Sequence, residues 1–166
     1  MARATSPAYR IGQGWDTHRT QPGGELILGG VRIPAEFGLS GHSDADVLFH
    51  AATDAVLGAL GLGDIGMHFP DTAAEWKGAA SDQFLKHAIQ LAANKGYTLV
   101  NVDSTIILER PKLKNFRTAV CEGLANALGV RVDAVSVKFK TAEGVGPVGE
   151  GRSCEAQVVV LLQAIS

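Results

Sequence analysis

Asp16 and His18 stand two residues apart in Gly14-Trp15-Asp16-Thr17-His18, in a run that begins with the strand-like Tyr9-Arg10-Ile11. The two-residue period of a strand points both side chains to the same side. A third group of similar chemistry, His50, closes the segment His42-Ser43-Asp44-Ala45-Asp46-Val47-Leu48-Phe49-His50. Ser43 reads as the N-cap of a helix, which places His50 about two turns inside it. One carboxylate oxygen and two imidazoles form a three-ligand set that suits Zn²⁺ and leaves its fourth position open to chemistry or substrate. Asp-x-His is short enough to arise by chance, however, and Asp46 and His50, four apart on a helix, could simply touch one another.

The bulk numbers narrow the function classes. With 166 residues, 46% hydrophobic and 19% charged, the chain suits one domain over 1–166 with a sizeable core, residues 1–8 reading as a flexible tail. A net charge of -2 and 6% aromatics supply neither a basic field nor stacking residues, so no nucleic-acid partner is expected. Cys121 and Cys154 lie far apart without a Cys-x-x-Cys pattern and read as reduced thiols outside any zinc set. Met1 to Ala8 lacks the apolar run of a signal peptide, and no stretch reaches the ~18 apolar residues of a membrane span. A soluble, unsecreted protein with no membrane partner is therefore expected.

The elements that must position the three residues follow in order. Glu25 to Pro34 holds two short apolar runs around Gly29-Gly30, a hairpin signal. A loop with two glycines then delivers His42 and Ser43 to the first helix, which runs to about Leu60 before Gly61. On it Asp46, His50 and Asp54 recur every four residues as a polar stripe on an apolar segment. A solvated face mixes signs, and this stripe has no Lys or Arg, so it is read as facing a site. Gly63 to Thr72 is a loop with acids, glycines and a proline. A second helix spans about Ser81 to Lys95, with Ser81 as its cap and Gly96 past its end. A strand from Thr98 to about Glu109, a helix from about Asn115 to Leu128, a strand from Val135 to Thr141, a Gly-rich loop and a strand from Glu155 to Gln163 complete the chain.

The fold class is α/β (α+β): a mixed four-stranded sheet with helices on one face, plus a small N-terminal hairpin. In the last strand Ala156, Val158, Val160 and Leu162 can face the helices, yet Val159 and Leu161 are apolar too, as is Ile107. The second sheet face needs a cover, and a neighbouring subunit is the natural one.

With these residues in place the chain resembles the 2-C-methyl-D-erythritol 2,4-cyclodiphosphate synthase family, from Arg10 to Leu162. The resemblance rests on Gly14 to His18, Ile27 to Pro34, His42 to His50, Leu62 to Gly66, Phe69-Pro70-Asp71, Lys77-Gly78-Ala79, Asn101-Val102-Asp103, Arg110-Pro111-Lys112 and Lys140 to Glu143, in order and at the family's intervals. It implies a metal-dependent phosphorus–oxygen lyase of the non-mevalonate isoprenoid pathway, in which 4-diphosphocytidyl-2-C-methyl-D-erythritol 2-phosphate is cyclised and CMP released. It also implies a homotrimer with sheets inside, helices outside and active sites between subunits. The family's pattern assigns Zn²⁺ to Asp16, His18 and His50, and Mg²⁺ or Mn²⁺ on the substrate diphosphate to Glu143.

By the same carry-over His42 and Thr141 stabilise the transition state, Asp16, Thr17 and His18 border the substrate, and Ser43 lies beside its phosphate. Asp64, Ile65 and Gly66 hold the ribose, and Phe69, Pro70, Asp71 and Thr72 flank the methylerythritol. Leu108, Pro111, Lys112, Leu113 and Lys114, with Lys140, Thr141 and Ala142, shape the cytosine pocket. The chain departs from the pattern at Gln13 (histidine), Ala45 (glycine), Ala73 (an acid), Pro147 (an aromatic) and Glu150 (arginine). Glu150-Gly151-Arg152 resembles the order of plant-like members. The compartment so implied is the bacterial cytoplasm, or the plastid stroma after transit-peptide removal.

Two other functions fit the same residues. A metal-dependent phosphoesterase would use the same Zn²⁺ to activate water. A non-enzymatic trimer would bind an isoprenoid diphosphate or a partner in its central cavity, but a dead homologue would be expected to lose Asp16, His18, His50 or Glu143.

Overall fold

The computed structural model describes residues 6–70 and 78–165. Its strands are β1 (Tyr9–Pro22), β2 (Leu26–Leu28), β3 (Val31–Ile33), β4 (Phe37–Leu39), β5 (Tyr97–Ile107), β6 (Val135–Lys140) and β7 (Ser153–Ala164). Its α-helices are α1 (Val47–Leu60), α2 (Ile65–His68), α3 (Asp82–Asn94), α4 (Arg117–Leu128) and α5 (Gly146–Gly149). Among the described residues, no helix is long and apolar enough to cross a membrane.

The main sheet has the order β4-β1-β7-β5-β6, with β6 parallel to β5 and the other pairs antiparallel. It is five-stranded where four strands are expected from sequence. The extra strand, β4, pairs only Phe37 to Leu39 with the end of β1, and three residues carry no readable period. The expected hairpin is β2-β3, a separate two-stranded sheet. Gly29 and Gly30 both have positive φ in its turn, the backbone that two-residue hairpin turns require.

Helices α1, α3 and α4 pack over one sheet face. Ala156, Val158, Val160 and Leu162 are fully buried beneath them with Val102 and Ile106. The opposite face leaves Ile11 73%, Trp15 49% and Val159 40% exposed in the single chain.

One packing detail sets the position of the site. Gly12 and Gly14 lie on the helix side of β1, and a Cβ on either would come within 1.9 Å of a backbone carbonyl of α1, that of Ala55 or Ala51. α1 thus lies directly on the strand, its small residues Ala51, Ala55 and Ala59 meeting the two glycines. Asp16 and His18 continue the same alternation past the last glycine, so they emerge beside the first turns of α1.

Candidate metal centre and active site

Asp16, His18 and His50 meet where β1 runs past the start of α1. Asp16 Oδ2 is 3.0 Å from His18 Nε2 and 3.1 Å from His50 Nδ1, and the two nitrogens are 2.9 Å apart. These atoms form a nearly equilateral triangle. Ligands at ~2.0–2.2 Å from a tetrahedral ion stand about 3.3–3.6 Å apart, so the triangle is one slightly contracted face of such a site. Three lone-pair atoms this close repel unless protons or a cation lie among them, and two imidazoles with one carboxylate fit a divalent transition metal. Burial pushes the Asp16 carboxyl up, but hydrogen bonds and charge from His18 and His50 outweigh it and hold the group well below the usual carboxylate range. An ionised, partly buried carboxylate facing two imidazoles is the state that ligation needs.

The rest of the 43–54 stretch corrects the expected helix start. The N-cap of α1 is Asp46, whose side chain accepts from Leu48 N at 3.1 Å and Phe49 N at 3.2 Å, and from Gly30 N at 2.7 Å. His50 is therefore about one turn into the helix, and Asp46, fully buried, faces the hairpin instead of the site. Ser43 instead accepts from Ala45 N at 3.2 Å and lies 3.0 Å from His50 Nε2. Asp54, the last member of the supposed stripe, is half-buried and accepts from Ile65 N at 2.7 Å, which ties α2 to α1. Ser81 does precede α3 but makes no side-chain cap bond; its hydroxyl lies 2.8 Å from His50 Nε2 and donates to Asp44.

A second group gathers at the other border of the sheet. Leu108, Pro111, Lys112, Leu113, Lys114, Lys140 and Thr141 line one cavity of about 580 Å³ beside edge strand β6, while Ala142 is outside its lining. The cavity is of ordinary small-ligand size. Thr141 Oγ1 donates to Glu143 Oε1 at 2.6 Å, and Glu143 has φ 52°, a left-handed backbone uncommon for a non-glycine residue.

Strand register relates the two groups: Thr17 pairs with Glu155, Glu155 with Ile107, and Ile107 with Lys140. They share one end of the sheet but stand three strand spacings apart, about 14 Å.

The remaining predicted residues are spread between these poles. Thr17 projects to the opposite side of β1 from Asp16 and His18, its amide donating to Asp16 Oδ1 at 2.8 Å. His42 is exposed. Asp64 caps α2 through Met67 N, with Ile65 and Gly66 in that helix. Phe69 is buried against Phe84, ring centroids 4.6 Å apart, and His87 at 5.2 Å, whereas Pro70 is exposed. Asp71, Thr72, Ala73 and Lys77 lie outside the described residues.

The sequence reading missed Asp44 and Ser81 beside His50, and Arg117 and Phe139 in the cavity wall. For Phe139 a signal existed, since the alternation of Val135 to Lys140 puts it beside Val137. For Ser81 there was none, because a serine before a helix is read as its cap.

The model of the YgbB family matches residues 9–163 of this chain. The chain belongs to the YgbB family. Among YgbB relatives, the 2-C-methyl-D-erythritol 2,4-cyclodiphosphate synthase of Solibacter usitatus is 66% identical over 154 residues, which cover 93% of this chain and 97% of that one. A chloroplastic synthase of the same name from Catharanthus roseus is 49% identical over 93% of this chain and 66% of its own length. A solved 2C-methyl-D-erythritol-2,4-cyclodiphosphate synthase in a CDP-bound form superimposes with a TM-score of 0.86 at 41% identity, covering 93% of this chain and 100% of that one.

Two of the departures expected from the resemblance have visible geometry. Ala45 has φ 58°, so a methyl group is carried where the backbone favours glycine. Glu150 and Arg152 pair at 2.6 Å on the surface.

Proposed function

We propose that this protein converts 4-diphosphocytidyl-2-C-methyl-D-erythritol 2-phosphate to 2-C-methyl-D-erythritol 2,4-cyclodiphosphate and CMP. The observation that carries this reading is the Asp16, His18 and His50 triangle in a chain of the YgbB family. The cation proposed is Zn²⁺, one per chain, because two imidazoles and a carboxylate with an open fourth position form a common zinc set. When bound, it supplies positive charge for phosphate oxygens.

In the reaction a 2-phosphate oxygen forms a bond to the β-phosphorus. The bond from that phosphorus to the α,β-bridging oxygen breaks, and its electron pair leaves with CMP. The phosphate is already a nucleophile, so the protein's work is to hold the two ends together and neutralise crowded oxygens. Glu143 is proposed to hold Mg²⁺ or Mn²⁺ on the diphosphate, and the adjoining 580 Å³ cavity the cytidine. A CDP-bound form of a relative with this fold supports the nucleotide assignment. His42 and Thr141 are proposed to meet the transition state, with Ser43 near the phosphate.

A diphosphate is far shorter than the roughly 14 Å that separates the triangle from Thr141 within one chain. We therefore assign each active site to two chains of a homotrimer, the triangle from one and the Thr141–Glu143 side from the next. The exposed Ile11, Trp15 and Val159 support a covered second sheet face. The compartment proposed is the bacterial cytoplasm, or the plastid stroma as for the chloroplastic relative.

Incubation with the diphosphocytidyl substrate, followed by mass and ³¹P detection, tests the reading. Cyclic diphosphate and CMP are expected, and chelation or His50→Ala should stop both. Release of inorganic phosphate without the cyclic product would instead mean that water is the nucleophile.

A further inference from the structure

We propose that Asp44 and Ser81 are positioning residues that fix His50 in the tautomer with its proton on Nε2, holding the Nδ1 lone pair toward the metal. The inference rests on the metal reading above and extends it beyond the three ligands. Ser81 is fully buried, and its hydroxyl has three partners: Asp44 Oδ1, His50 Nε2 at 2.8 Å and Ser43 Oγ at 3.0 Å. A hydroxyl has one proton to give and two lone pairs. The Asp44 carboxylate accepts only, so the Ser81 proton goes to it, and both remaining partners must donate to Ser81. His50 Nε2 therefore carries a hydrogen, and Nδ1, beside Asp16 Oδ2 and His18 Nε2, is the nitrogen left to bind the metal.

Ser43 agrees with this direction. Its own proton goes to Ser81, and its lone pairs face the amide of Ala45 at 3.2 Å and His50 Nε2 at 3.0 Å. In the other tautomer the Nε2 lone pair would face a Ser81 lone pair at 2.8 Å. If Ser43 then turned its proton to Nε2, its contact with Ser81 would also join two acceptors. Asp44 is itself held in place, accepting from the amides of Asp46 at 3.2 Å and Ser81 at 3.2 Å, while its own amide donates to Ala79 O at 3.1 Å. Ser81 meanwhile stands at the N-cap of α3 without its side chain capping that helix. A hydroxyl in a capping position that serves another group is placed for that group. Partners behind a ligating imidazole commonly set its tautomer and strengthen the ligand.

The test uses the full chain before and after chelation, with Ser81→Ala and Asp44→Asn beside the wild type. ¹⁵N NMR of His50 should give a pyrrole-type Nε2 in the metal-free wild type, and the same Nε2 with a metal-bound Nδ1 once Zn²⁺ is added. Competition with a chromophoric chelator should then show Zn²⁺ bound about 10–100-fold more weakly by each variant, still at one ion per chain when saturated. Asp44→Asn should also yield a mixture of His50 tautomers, since an amide can donate and so release the Ser81 proton. Unchanged Zn²⁺ affinity in both folded variants, or a wild-type His50 with no proton on Nε2, would overturn the proposal. Should Ser81→Ala fail to fold, the wild-type spectrum and Asp44→Asn still decide. Failure of the wild type to bind Zn²⁺ would overturn the metal reading, and with it the ligation role proposed here, whatever the tautomer.

Discussion

Asp46 joins the hairpin to α1 through a carboxylate that is wholly buried. Burial pushes its pKa up to about 6, against the pull of the Gly30, Gly29 and Phe49 amides. A carboxyl raised above its unfolded value binds a proton more readily in the folded state, so stability falls as pH rises from about 4 to about 6. The span corresponds to about 3 kcal/mol at most. In metal-free protein, urea unfolding should show the wild type gaining on Asp46→Asn by up to that amount as pH is lowered from 7 to 4. A pH-independent difference would mean that burial does not raise the Asp46 carboxyl above its unfolded value.

At Glu143 the expected outcome is loss of turnover in Glu143→Gln with Zn²⁺ content unchanged by elemental analysis; loss of the zinc instead would contradict the proposed separation of the two ions. The period of β1 made Asp16 and His18 legible as a pair, whereas Asp46 was not legible as a cap. Ser43, Asp44 and Asp46 are all capping residue types within one short stretch. Which of them caps depends on a bond to Gly30, sixteen positions away in sequence.

The close approach of α1 to β1 decides whether the three ligand atoms meet. Gly14→Ala would put a methyl group 1.9 Å from the Ala51 carbonyl, and a backbone atom cannot rotate away. The helix must move, at a cost of about 1–3 kcal/mol or more, and His50 moves with it. Gly14→Ala should therefore unfold at lower urea concentration and bind Zn²⁺ more weakly, although it alters no ligand. A variant with wild-type stability and affinity would mean that helix position does not matter to the centre.

Helices α1, α3 and α4 were legible in the sequence to within a few residues because glycines follow α1 and α4 directly and Gly96 lies just past α3. Strand β4 was not, since its existence depends on pairing with the far end of β1. The two β1 glycines were visible, but that they meet a helix carbonyl follows only from the packed layers.

The second sheet face was legible from the apolar residues on both sides of β7, and a cyclic trimer is the cover proposed for it. Co-folding His50→Ala chains with Glu143→Ala chains, each inactive alone, gives mixed rings that each contain one interface free of both defects. With equal random mixing roughly three-quarters of rings are mixed, so activity should return to roughly one quarter of wild type. Verified mixed trimers that stay inactive would rule out sites built from two chains.

The triangle lies toward one lateral border of the sheet and Glu143 toward the other, so the proposed contact between copies is head-to-tail. An open pair of chains would then hold one finished site and two half-sites, and a lone chain none. Specific activity thus becomes a measure of ring closure: on dilution it should decline before the fold is lost, and a concentration series would report assembly without any labelled subunit.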